Sequence, residues 1–255
     1  MPREVDAKDL EQKWNARLRT PITSPRIAAM AANAGLSCLF WSIVQPSGLP
    51  FAEIALPAGT EAEAVPIQLG TFRIVSESED LARAAAGFRS RAITEFSAAP
   101  GMPVTVRLYL PWFCVLPSVD AMGVPLRTAL ANTGLAAGRV IVELATPMAG
   151  GIPSAARRIA ELRELGVQTA LRVEEVSPAA FEAAVELVPD YVHVVEAPRS
   201  FDESSAIKAL LDGFRRKKTR AIVGNVSVAD DAAHVDGLGV SLLYGDAISA
   251  PRFLC

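Results

Sequence analysis

The stretch ELRELGVQTALRVEEVSPAAFEAAVELVPDYVHVV, residues 161–195, decides how the rest of the chain is read. Gly166 closes one helical segment, and VQTALR (167–172) follows as a short apolar strand. Ser177-Pro178 then supplies a cap and a first-turn proline for the helix AAFEAAVEL. YVHVV (191–195) is the next strand. The first of these strands ends in Arg172-Val173. A cation followed by a branched apolar residue cannot hold a divalent metal, so this strand end is not a metal site.

The same alternation extends outward. Strands are expected at Cys38–Val44, Phe51–Leu56, Val104–Leu110, Val140–Ala145, Val167–Arg172, Tyr191–Val195, Arg220–Gly224 and Val240–Leu243. Most are short, apolar and β-branched, as strands buried on both faces are. Ser76 with Glu79 forms a capping box ahead of Leu81, Ala85, Phe88 and Ala92. Ser227 and Asp230 open a helix that stops at DGLG (236–239). Eight strands with helices between most of them predict an α/β fold, a TIM-barrel-like (β/α)8 architecture, with an open doubly wound sheet as the alternative. VPIQLGTFRIV (65–75) looks like an extra strand or hairpin. Ahead of the barrel, residues 6–18 predict an extra N-terminal helix with Leu10, Trp14 and Leu18 on one face. The organisation expected is a helical extension over residues 1–24 and one barrel domain over 25–255.

Bulk properties narrow the function classes. The chain has 255 residues, 51% of them hydrophobic and 21% charged, which suits a buried core and not disorder. A net charge of -3 provides no global field for nucleic acid or anionic membrane. Cys38, Cys114 and Cys255 form no CxxC or Cys/His cluster, which fits a reducing, cytoplasmic setting. Residues 27–44 carry no charge and approach the roughly 20 residues of a membrane helix. Asn33, Gly35, Ser37 and Ser42 dilute them, so a short helix and then a buried strand are expected. The polar first 26 residues do not suit a secretory signal.

Motifs for phosphate loops, dinucleotide binding, serine nucleophiles and zinc helices are missing. Gly150-Gly151 precedes a helix start and reads first as a turn, with a phosphate contact as the alternative. His234 stands four residues after Asp230, as a surface pair would. Arg215, Arg216, Lys217, Lys218 and Arg220 form a basic run that suits a helix C-terminus or, alternatively, a partner or phosphate patch. His193 is placed to point into the barrel, as a satisfied core histidine more than a catalytic base. Glu143, inside the strand VIVEL, is costly to bury unless paired or wet. Arg172 is the obvious partner. Glu53, in FAEIAL, is a second carboxylate in a buried strand.

The ordered set of segments LANTGLAAGRVIVELAT, LRELGVQTALRVEE, LVPDYVHVV, RAIVGNVS and LGVSLLYGDAISAP resembles the EAL domain, the cyclic di-GMP phosphodiesterase fold of bacterial signalling. The resemblance covers about residues 38–253 and is best after residue 125. It implies that Glu143 keeps the identity of a metal-binding Glu, and that Glu53 stands for the Glu of the EAL signature. It also implies that the metal-binding acidic pair has become Arg172 and Val173. The catalytic lysine has become His193, and the Asp two residues later has become Val195. The two Glu residues of the AEGVE-type motif have become Gly224 and Ser227, and the Gln of the QGY motif has become Tyr244. The arginine that follows the signature is Pro57 here, and the Asn of the third strand falls near Tyr109 or Arg107. Gly245 and Pro251 keep their places. Hydrolysis in the family needs two metals.

The implied function is therefore a degenerate, catalytically inactive EAL-like domain, a regulatory protein-interaction module with a protein partner or a second copy as its target. No metal or cofactor, nucleic-acid polymer or membrane is expected. One alternative is a metal-independent receptor for cyclic di-GMP or another nucleotide, using Arg172, Asn225, Tyr244 and the Gly150-Gly151 turn. The other is new chemistry on Glu143, Arg172 and His193 at the barrel mouth. Candidate ligand-binding residues are Glu53, Glu143, Arg172, His193, Asn225 and Tyr244.

Overall fold

The computed structural model of the chain describes residues 37–58, 79–115, 123–145, 151–173, 178–197, 201–215, 217–227, 235 and 237–254. The expected N-terminal helix, the 65–75 segment, Gly150, the Ser76 and Ser177 caps, and His234 with Asp230 lie outside them. Eight strands close into a barrel in sequence order: β1 Ser37–Val44, β2 Pro50–Ala58, β3 Arg107–Leu110, β4 Val140–Leu144, β5 Gln168–Val173, β6 Tyr191–Val194, β7 Arg220–Val223 and β8 Leu242–Leu243. Five helices are described: α1 Glu79–Ala98, α2 Gly123–Thr133, α3 Gly151–Glu164, α4 Pro178–Leu187 and α5 Phe201–Arg215. Pro178 takes the first helical position, where its missing N–H costs nothing. Among the described residues no helix is long and apolar enough to cross a membrane.

The barrel departs from a regular (β/α)8 in one respect. β1 runs antiparallel to both β2 and β8, while β2 through β8 are parallel neighbours. The reason is local. Gln45 and Leu49 close a tight turn in which the Gln45 N–H donates to Leu49 O at 2.9 Å. Gly48 takes the left-handed φ of 81° that this turn requires. A short hairpin reverses the chain, whereas parallel strands need a crossover. The third strand is shorter than its apolar run suggested, because Val104 to Val106 turn into it and Val104 is 79% exposed.

Alternation along the strands builds two cores. Ile54, Tyr109, Ile141, Ala170, Tyr191, Ile222 and Leu242 face inward and fill the barrel. Leu108, Val142, Leu171, Val192 and Val223 face outward, against helix residues such as Phe88, Leu126, Ile159, Leu187 and Phe214. Burial on both faces is why these strands read as continuous apolar runs.

With only two residues in β8, the C-terminal tail completes the seam. Phe40 and Arg252 exchange backbone hydrogen bonds of 2.7 and 2.9 Å, and the Trp41 indole N–H donates to Ser249 O at 2.6 Å. Glu53 belongs to this seam. It pairs with Ser42 in register and shares the outward side of β2 with Ala55. Ser42 Oγ donates to its carboxylate at 3.0 Å, and Arg252 Nη2 donates to it at 2.7 Å.

A carboxylate and its partners at the barrel mouth

Glu143 stands on β4 one residue before its end, facing into the barrel with no exposed surface. Its neighbours come from β3, β5, β6 and the segment after β8. The Tyr109 hydroxyl donates to Oε1 at 2.9 Å, and His193 Nδ1 bonds the same oxygen. The Trp112 backbone N–H donates to Oε2 at 3.0 Å, and Arg172 Nη1 lies 3.7 Å from it. The last contact is an ion pair and not a hydrogen bond at that length. His193 Nε2 meets the Tyr244 hydroxyl at 2.9 Å.

The electrostatics follow from this packing. Burial pushes the Glu143 pKa up, but the His193 charge and hydrogen bond, the Arg172 charge and the Trp112 N–H together pull it down to about 2. Burial raises the Tyr109 phenol well above its ordinary value, helped by the neighbouring Glu143 charge, and it raises Tyr244 likewise. Both phenols therefore stay protonated. Every polar atom of the carboxylate is engaged, and a group with so low a pKa is a poor general base.

Space is settled by a second pairing. A Cβ built on Gly224, just past β7, would fall 2.5 Å from the Tyr244 Oη and 2.6 Å from its Cζ. The Tyr244 ring therefore occupies the volume a side chain at 224 would need. Trp41 meets that ring edge-on at 5.2 Å. Gly245 adds a backbone constraint. At φ 152° its missing Cβ would lie 2.2 Å from Val226 O, so the two strand ends pass at a distance that only glycine permits.

Of the residues singled out from sequence, Glu143, Arg172, His193 and Tyr244 come together, and the expected Glu143–Arg172 ion pair is present. Asn225 sits at the rim with φ 53° and donates from Nδ2 to Glu196 Oε1 at 3.1 Å. Glu53 does not join the cluster. It faces the outside of the barrel, because the inward positions of β2 are Ile54 and Leu56. Tyr109 and the Trp112 N–H complete the site; the resemblance placed a third-strand site position near Tyr109 or Arg107, and sequence reasoning gave Trp112 no role. The visible signal was a hydroxyl inside the apolar strand RLYL, since a buried tyrosine finds a partner for its OH.

The described residues at this mouth do not suit a divalent metal. The one inward carboxylate among the described residues has both oxygens bonded within the protein, and a guanidinium stands beside it. Among the described residues no three of His, Cys, Asp and Glu gather into a ligand set.

Solved structures share the fold of this barrel. A standalone EAL protein from Vibrio cholerae O395, in a c-di-GMP-bound form, is 17% identical, with a TM-score of 0.71 over 86% of this chain and 93% of that one. The fold is that of the EAL domain. The EAL domain of FimX from Xanthomonas citri, in complex with c-di-GMP, is 13% identical, with a TM-score of 0.71 over 97% of each chain. The Bacillus subtilis YkuI protein, with an EAL domain and in complex with c-di-GMP and calcium, is 12% identical, with a TM-score of 0.74 over 88% of this chain and 57% of that one. No family model and no curated protein matches the sequence. The likeness to EAL domains is thus one of fold.

Two outcomes are expected. The depressed Glu143 pKa lends stability above the ordinary carboxylate value of about 4.3, and that stability is lost as pH falls toward 2. Urea midpoints between pH 6 and 2 should fall with a slope that Glu143→Gln flattens, a difference of about 3 kcal/mol at neutral pH. Gly224→Ala should cost about 1–3 kcal/mol by overpacking. In a Tyr244→Ala background it should cost less than half as much, read as a double-mutant cycle in denaturant.

Proposed function

We propose that the chain is a non-catalytic EAL-type domain that serves as a regulatory protein-interaction module in bacterial cyclic di-GMP signalling. The observation that carries this reading is the closed network on Glu143. The position where the resemblance places metal-binding acids holds Arg172, and the positions of the catalytic lysine and the Gln of the QGY motif hold His193 and Tyr244. These three side chains bond to Glu143 directly or through one another. Phosphodiester hydrolysis by two metals needs several anionic ligands and an open coordination site. The one inward carboxylate among the described residues, saturated by its neighbours, provides neither, and moving Arg172 aside would take a cation from a buried charge.

Loss of hydrolysis leaves the barrel intact as a shape. Apart from Tyr109 and Tyr244, both cores are formed by apolar residues outside the Glu143 cluster, so the domain keeps a surface to present to a partner without depending on a bound ion. The neighbours in complex with c-di-GMP are the ground for placing this module in that signalling system. A cytoplasmic location fits the same reading.

The test is calorimetric titration of the full chain with cyclic di-GMP, with and without magnesium or manganese, followed by chromatography for the linear dinucleotide. The expected result is no turnover under any condition. Metal-dependent formation of the linear product would contradict the reading, and tight metal-independent binding would replace it with a nucleotide receptor.

A further inference from the structure

The opposite end of the barrel, where β2 through β7 begin, carries a cavity of about 670 Å³. Its lining includes Phe51, Arg107, Arg139 and Arg220, with Leu49 and Val104 among the lining residues and no acidic side chain. Leu49 is 60% and Val104 79% exposed, although both are apolar.

The three guanidiniums are held by neutral groups. Arg139 donates from Nε and Nη2 to Val106 O at 3.0 and 2.9 Å, and again from Nη2 to Pro103 O at 3.1 Å. Arg107 donates from Nε to Gln168 Oε1 at 3.0 Å and from Nη1 to Thr105 O at 3.3 Å. The guanidinium carbons of Arg107 and Arg220 each stand 4.6 Å from the centre of the Phe51 ring. Among the described residues none of the three forms an ion pair with a carboxylate, and the Arg220 side chain makes no hydrogen bond. Arg139 stands over another ring, that of Phe96, at 5.3 Å. Like charges lining one cavity repel each other, and a bound anion would relieve that repulsion. Arg107 and Arg139 keep N–H groups unspent on protein atoms, and the guanidinium fork matches an oxyanion in two-point geometry.

We propose that this mouth binds a small amphipathic oxyanion, a phosphoryl or carboxylate head on an apolar body. The head sits on Arg107, Arg139 and Arg220, and the body covers Leu49 and Val104. The basic run ending at Arg220 places Lys218 beside the same residue, in a neighbouring cavity that Arg220 also lines. It adds positive potential to this end of the barrel. The site lies at the other end of the strands from Glu143.

Binding is tested on the full chain with four probes: phenyl phosphate, benzoate, inorganic phosphate and benzyl alcohol. Phenyl phosphate or benzoate should bind more tightly than inorganic phosphate and benzyl alcohol, and the stronger of the two identifies the head group. Raising salt from about 0.05 to about 0.5 M should weaken that binding. Arg220→Gln should weaken it by about tenfold or more. Val104→Glu, at an exposed site where folding is not at stake, should weaken it in the same direction. Affinity unchanged in both variants, no binding of any probe, or equal binding of benzyl alcohol or inorganic phosphate would overturn the proposal.

Discussion

A carboxylate sealed inside a β-barrel must be met by donors on both oxygens, and Glu143 dictates much of what surrounds it. Its charge is kept by His193, Arg172, Tyr109 and the Trp112 N–H, from strands that converge only because the barrel closes. His193 in turn fixes Tyr244, and Tyr244 requires that residue 224 have no side chain. A chain of dependencies thus spans six of the eight strands or their ends. Removing any one member leaves another polar group without its partner in a region without water access, which is costly. The residues that look like separate departures from an enzyme's motif are physically coupled.

The eight strands were legible because each apolar run is bounded by caps, glycines or prolines, and because burial on both faces leaves a strong signal in the sequence. Alternation also located His193 as an inward residue and suggested Arg172 as the partner of Glu143. What the sequence concealed depended on contacts distant along the chain or on a shift of one residue. Tyr109 lies 34 positions before Glu143, and nothing local marks its hydroxyl as a ligand for it. Glu53 was placed among the site residues from a signature-like triplet, yet a one-residue change of register reverses every side chain of a strand. In the structure it seals the β1–β2 seam with Ser42 and Arg252. The antiparallel β1 was concealed for a related reason. Its cause is a short turn at Gly48, and turn geometry is less visible in composition than a strand is.

The two ends of the barrel present opposite chemistry. At the C-terminal mouth, cationic, anionic and phenolic groups satisfy one another and expose little. At the other end, three arginines face a cavity without an acidic counterpart. Apart from Tyr109 and Tyr244, the buried residues of both hydrophobic cores lie outside the Glu143 network.

The account rests on the claim that the Glu143 network occupies the place of a metal centre. Manganese titration of the full chain, followed by electron paramagnetic resonance, tests it most directly. The account predicts only weak manganese binding that is the same in the wild type and in Glu143→Gln. Tight, stoichiometric manganese binding that disappears in Glu143→Gln would contradict it.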